Sequence, residues 1–192
     1  MSAPACRAPS GTTCVAHTRL YRGGELVEEG FDVALVSDHL SQEDTVVWLD
    51  LLAPTLEDLQ VLVEELDLHP LAVEDAVHRQ QRPKLDRYDD HLFLSSYVVR
   101  LTEETAQLAL DEIAAFVTPR ALVTVRSSDA LPVEALLERW DGAHDESASG
   151  VPYLLHGLLD LVVDGHFAAV QQLDEELDDI EDTLFDERPR SR

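Results

Sequence analysis

Residues 48–99 read WLDLLAPTLEDLQVLVEELDLHPLAVEDAVHRQQRPKLDRYDDHLFLSSYVV and carry strand and helix patterns in one continuous run. The run begins inside residues 46–52, where dense β-branched and apolar side chains predict a buried strand. Thr55, with Asp58 three residues later, forms a loose capping-box pattern that predicts the start of a helix. A buried strand followed directly by a capped helix is typical of a sheet covered by helices.

Both flanks of this stretch add further strands and helices. Before it, strands are predicted at residues 13–21, 26–28 and 33–36. Within and after it, we predict a second helix following His69 and Pro70, strands at 91–101, 113–117 and 121–126, and a short helix at 131–140. This order predicts a mixed sheet with helices packed against it, in the α/β or α+β class.

The segment at residues 152–185 predicts one long helix. Apolar and amphipathic residues recur there in steps of three and four, and the helix would be about 50 Å long. Residues 174–182 (DEELDDIED) hold seven acids, which is typical of a solvated helix face. A domain of this size covers only part of such an apolar stripe, so we expect the distal half to meet another helix.

The charge balance narrows the classes of partner. The chain has 192 residues, with 14 Lys and Arg against 39 Asp and Glu, for a formal net charge of −25. A surface this acidic argues against nucleic acid and anionic membranes and favours cations or basic proteins. From the sequence we expect neither an apolar run long enough to span a bilayer nor a signal peptide. This predicts a soluble cytosolic chain without direct membrane contact.

The ordered motifs resemble the cytosolic domain of the CorA family of divalent-cation (magnesium) transporters. Within residues 48–99 they are an aromatic-plus-Asp strand end, Leu-His-Pro-Leu, Glu-Asp and Gln-Arg-Pro-Lys. The later pieces ALVTVR at 121–126 and YLLHGLLDLVVD at 153–164 agree in order. The resemblance implies an α/β/α sandwich with a mixed sheet at 12–148, followed by a long acidic helix at 149–187 that extends toward a stalk. Residues 1–11 are predicted to be a disordered tail, and 188–192 a second tail.

The resemblance also implies a function without catalysis. Family members are homopentamers at the cell membrane that conduct Mg²⁺, and Mg²⁺ bound between their cytosolic domains holds the channel closed. This sequence ends at Arg192, before a second stalk helix, membrane spans or a Gly-Met-Asn motif. We therefore expect a soluble fragment from the cytoplasmic face of the membrane, monomeric or weakly dimeric by itself. Co²⁺, Ni²⁺ and Zn²⁺ stay open as transported ions, because related transporters of the same architecture carry Zn²⁺.

Four acids are the candidate metal ligands. Glu74 and Asp75 lie near the C-terminal end of the second helix, where adjacent carboxylates oppose the helix dipole and a divalent cation would relieve them. By resemblance they match the regulatory sites between subunits, and Asp75 is the stronger candidate. Asp160 matches an acid of a second regulatory site, and Asp164 follows one turn later on the same face. Mg²⁺ takes few protein carboxylates, so a sparse site is expected; the alternative is that these are ordinary solvated acids.

Gln81, Arg82, Pro83 and Lys84 form the candidate structural or interface segment. Pro83 favours an extended backbone, and the two cations are predicted to pair with neighbouring carboxylates; a gating role between subunits is the alternative. Two other functions stay open, a metal-dependent hydrolase and an acidic scaffold for a basic partner. The sequence contains no HExxH, GxSxG or P-loop pattern, which argues against an enzyme.

Overall fold

A computed structural model gives the arrangement of the chain and describes residues 5–7, 13–78, 82–102, 107–142 and 150–186. The strands are β1 (Ala5–Arg7), β2 (Thr13–Arg22), β3 (Glu25–Glu29), β4 (Thr45–Leu52), β5 (Lys84–Arg87), β6 (Leu92–Thr102), β7 (Gln107–Val117) and β8 (Ala121–Arg126). The helices are α1 (Val36–Leu40), α2 (Leu56–Leu66), α3 (Pro70–Val77), α4 (Val133–Gly142) and α5 (Val151–Asp186).

All the strands belong to one mixed sheet. Its order is β1-β2-β4-β8-β7-β6-β5, and β3 pairs with β2 outside this path. Strands β4 and β8 run parallel, from Val47 opposite Ala121 to Leu52 opposite Arg126, and the other pairs are antiparallel. Strand β5 pairs only with β6 and so forms one edge of the sheet. The predicted mixed sheet is confirmed.

Each face of the sheet carries its own apolar core, so the architecture is the predicted α/β/α sandwich. Side chains alternate along a strand, and in β4 Val47 and Leu49 join the core beneath α1, α2 and α3. Trp48 lies between them in sequence and joins the opposite core, beneath α4 and α5. Both cores are closed to solvent at their centres, since Trp48 and Leu49 are fully buried.

Local capping explains where α2 and α3 begin, as the sequence predicts. The Thr55 hydroxyl accepts the Asp58 N–H, and the Asp58 carboxylate accepts the Thr55 N–H at 2.7 Å, which completes a capping box. Pro70 occupies the first turn of α3, and the His69 ring nitrogen Nδ1 accepts the Leu71 N–H at 3.2 Å. Helix α2 ends at Leu66, and the residue that caps it, Asp67, has a φ of 53° in the left-handed region.

Three segments differ from the sequence predictions. Residues 33–36, predicted as a strand, form a 3₁₀ turn that leads into α1, because the Asp32 carboxylate accepts the Ala34 N–H and caps the turn. Ala5–Arg7, inside the predicted disordered tail, pairs through its backbone with the edge of β2. Strand β5 was not predicted, since KLDR lacks the apolar alternation that marks a strand. Residues 143–149 and 188–192 lie outside the described part of the chain.

Helix α5 is the predicted long helix, and only its first half packs on the sheet. Among its described side chains the last buried one is Ala169, and from there to Leu184 the exposed apolar ones are Val170, Leu173, Leu177, Ile180 and Leu184. By length and composition, Val151–Leu184 is the one described helix that could cross a membrane, contrary to the sequence expectation. Its packing favours another role, because Leu154, Leu158 and Val162 fill the core beneath the sheet.

Candidate cation-binding site

Two carboxylates from different elements meet at the β5 edge of the sheet around a single ammonium group. Asp75 of α3 and Asp86 of β5 place their Oδ2 atoms 2.6 and 2.8 Å from Lys84 Nζ. Hydrogen bonds to Asp75 and Asp86 raise the pKa of Lys84, so the ammonium stays charged at any physiological pH. The ammonium also lies 5.4 Å from the centroid of the Phe93 ring. We call Asp75 and Asp86 the α3–β5 carboxylate pair.

The other predicted residues of this region lie around the pair. Glu74 is exposed on α3, next to Asp75. Arg82 and Pro83 are exposed and lead the chain into β5, while Gln81 lies outside the described residues. The structure thus brings together Asp75 and Lys84 and adds Asp86, a neighbouring acid that the sequence analysis did not propose as a metal ligand. The signal that could have found Asp86 is its spacing of two from Lys84, which puts both on one face of a strand.

The remaining candidate acids lie on α5. Asp160 forms an ion pair with Arg139 of α4, and both side chains are about two-fifths exposed. The Arg139 backbone carbonyl in turn accepts the Tyr153 hydroxyl at 3.1 Å, which ties the two helices together. Asp164 is exposed one turn further along α5. Asp160, like Asp75, is therefore already paired with a basic side chain.

The two groups of candidate acids lie on opposite faces of the sheet. Glu74 and Asp75 belong to α3 and Asp160 and Asp164 to α5, and these helices cover different cores. Among the residues that the structure describes, no three His, Cys, Asp or Glu side chains form a metal-binding cluster. Each group offers one or two carboxylates, which is the number that a largely hydrated Mg²⁺ ion uses.

A buried polar network near the ends of β4 and β8 was not predicted as a site. Arg126 binds both carboxylate oxygens of Asp50, with its terminal nitrogen 2.7 Å from Oδ2, and the side chains are 4% and 0% exposed. Thr124 donates to Asp50 at 2.6 Å and accepts the Trp48 indole N–H at 3.2 Å. Although burial opposes it, Asp50 raises the pKa of Arg126. One charge of each sign inside two apolar strand patterns was the available signal.

Comparison with known proteins places these features in context. A family model described as CorA-like Mg²⁺ transporter protein matches residues 43–192. The chain is 30% identical over 137 residues to YfjQ of Bacillus subtilis, whose name describes a metal ion transporter. It is 24% identical over 149 residues to the cobalt/magnesium transport protein CorA of Thermotoga maritima. The matches cover 71% and 76% of this chain but 41% and 42% of those relatives, so the chain spans less than half of their length.

A solved structure supports the fold independently. The soluble domain of CorA from Methanocaldococcus jannaschii superposes with a TM-score of 0.67, over 91% of this chain and 66% of that one. The identity is 17%, so the likeness concerns the fold. The sandwich and the long helix that follows it therefore form one known architecture.

Proposed function

Because the chain belongs to the CorA-like Mg²⁺ transporter family, we propose that it is the cytoplasmic, cation-sensing domain of a magnesium transporter. The domain binds Mg²⁺ reversibly and carries out no catalysis. The carboxylate ligands favour this ion, since hard oxygen donors suit Mg²⁺ better than the softer transition metals. Co²⁺ is the second candidate, because the Thermotoga maritima relative is named for both ions.

The placement of the acids on opposite faces is the observation that carries the proposal. Within one chain, Glu74 and Asp75 lie on α3 over one face of the sheet, whereas Asp160 and Asp164 lie on α5 over the other face. When copies of the chain stand side by side in a ring, the α3 acids of one copy meet the α5 acids of the next. Mg²⁺ bound there would join neighbouring subunits and hold the homopentamer of the whole transporter in one state. We infer that this interface is where the domain reads the cytoplasmic Mg²⁺ concentration.

The exposed apolar face of the distal half of α5 fits the same assembly. Leu177, Ile180 and Leu184 are each more than half exposed, and a stripe of this kind needs a covering helix. In the intact transporter we propose that stalk helices cover it, next to the membrane. We propose that residues 1–192 by themselves are monomeric or weakly dimeric, because the exposed stripe is then not covered by stalk helices.

Thermal unfolding in MgCl₂ and in NaCl of matched ionic strength tests the proposal. A site with a millimolar dissociation constant raises the free energy of unfolding by about 1.4 kcal/mol at tenfold excess of Mg²⁺, or about 3–6 °C in Tm. If the site lies between subunits, this gain increases with protein concentration. Asp75→Ala should reduce the gain, whereas Glu25→Ala, which removes an exposed acid of β3, should leave it unchanged. Equal curves in the two salts at every protein concentration would refute the sensor function.

A further inference from the structure

We propose that Lys84 is a built-in competitor for the Mg²⁺ site, whose ammonium must leave the α3–β5 carboxylate pair before a divalent cation can bind Asp75. This inference rests on the proposed function and adds a regulating residue to it. Lys84 would set the Mg²⁺ concentration at which the domain responds. It would do so by lowering the affinity of the site rather than by contributing a ligand.

The geometry makes the two cations mutually exclusive. Lys84 Nζ lies between two carboxylate oxygens that belong to separate elements, 2.6 Å from Asp75 and 2.8 Å from Asp86. Mg²⁺ bound to Asp75 would lie about 2.0–2.1 Å from an oxygen of the carboxylate that Lys84 already contacts, with water completing its shell. A divalent ion and an ammonium this close together repel strongly, so occupation by one requires departure of the other.

The exposure of the three side chains makes the exchange feasible. Lys84 is 28% exposed, and Asp75 and Asp86 are 31% and 42% exposed. The ammonium can therefore swing into water on its flexible four-carbon stem. The contrast within the chain is Arg126 with Asp50, at 4% and 0% exposure. The Arg126–Asp50 pair is thus almost fully buried, whereas all three side chains around Lys84 reach solvent.

Mg²⁺ titration of the whole chain by calorimetry, in 0.15 M NaCl, tests the competition. Lys84→Met keeps an unbranched apolar stem of similar length but removes the ammonium, and with it the cation–π contact with Phe93. Because two partly exposed ion pairs no longer have to break, we expect the Kd for Mg²⁺ to fall about three- to tenfold. Arg87→Met is the matched control, since it removes one exposed positive charge from the same strand. Screening limits its expected effect to less than about twofold.

The second measurement follows the ammonium itself. Lys84 is the only lysine in the chain, so lysine labelled with ¹³Cε and ¹⁵Nζ gives one side-chain NMR signal. We expect this signal to move toward the position of a free lysine during the Mg²⁺ titration, with the midpoint found by calorimetry.

The outcomes separate the competition from the sensor function. If wild type binds Mg²⁺ and Lys84→Met binds no more tightly, or if Arg87→Met tightens binding equally, the competition is wrong and the sensor function stands. A Lys84 signal that stays still while Mg²⁺ binds also overturns the competition. If none of the variants binds Mg²⁺, both proposals fail.

Discussion

The packing of α5 on the sandwich depends on Gly157, and replacing this glycine tests that packing directly. A Cβ atom built at Gly157 would lie 2.6 Å from Trp140 Nε1 and 3.2 Å from Cδ1. The Trp140 indole is 1% exposed and meets the ring of Trp48 edge-on at 4.9 Å. Trp48 is itself fully buried, so the indole cannot move aside. The extra methyl group of Gly157→Ala must push α5 away from α4.

The size of the effect follows from two opposing contributions. Overpacking of a tight core costs about 1–3 kcal/mol, and here the contact is about 1 Å too short, which favours the upper part of that range. Alanine returns up to about 1 kcal/mol because it is a better helix former than glycine. We therefore expect Gly157→Ala to lower the free energy of unfolding by about 1–2 kcal/mol, and Tm by about 2–8 °C.

Urea unfolding followed by tryptophan fluorescence measures this directly, because both tryptophans of the chain lie in the affected core. Gly142→Ala is the control, since a Cβ at Gly142 would meet nothing within 4 Å. The control should change the free energy of unfolding by less than about 0.5 kcal/mol. If Gly157→Ala were as stable as the wild type, the close packing of α5 on Trp140 would be wrong.

Two further predictions concern buried charge. Arg126→Met leaves Asp50 buried without its ionic partner and should lower the free energy of unfolding, measured in urea, by about 3–5 kcal/mol. The double variant Arg126→Met with Asp50→Leu should recover much of this loss. A small effect of the single variant would contradict the buried ion pair. Burial, with repulsion from His69, lowers the pKa of His91. Neutral His91 therefore contributes stability at pH values above its unfolded pKa of about 6.5. This contribution is lost as the pH falls through the folded pKa. His91→Phe should therefore reduce the loss of stability between pH 7 and pH 5, by at most about 1.4 kcal/mol per pH unit, and the exposed control His156→Gln should not.

The sequence predicts those parts of the fold that local patterns determine. The Thr55 capping box lies within a few residues of the helix that it starts, and the proline after His69 acts over a similar distance. Strand β8 is a run of six buried residues, and its composition alone predicts a buried strand. The resemblance to a family then supplied what local patterns lack, namely the order of layers and the sandwich itself.

The parts that the sequence did not predict depend on register between distant segments. Asp50 and Arg126 meet only because β4 and β8 pair in parallel with Asp50 opposite Thr124. Strand β5 exists because its backbone pairs with β6, although KLDR has no apolar pattern of its own. At the candidate site the sequence predicts that Lys84 pairs with neighbouring carboxylates, but the choice of Asp75 depends on how α3 and β5 come together at the sheet edge. An ion pair between two separate elements, such as Lys84 with Asp75, has no fixed spacing in the sequence.

The attachment of α5 connects the candidate site with the rest of the proposed transporter. Seventeen helical residues follow Ala169, the last buried residue among the described side chains, and extend about 25 Å from the sandwich. A helix without an internal proline bends only gently, so a 10° rotation of the sandwich would move its far end by about 4 Å. Under the proposed function, Mg²⁺ bound between neighbouring sandwiches would restrict such rotations, because it would fix one domain relative to the next. Tight packing at Gly157 is then required for function as well as for stability. If α5 were packed loosely on the sandwich, the sandwich could rotate without moving the far end of the helix.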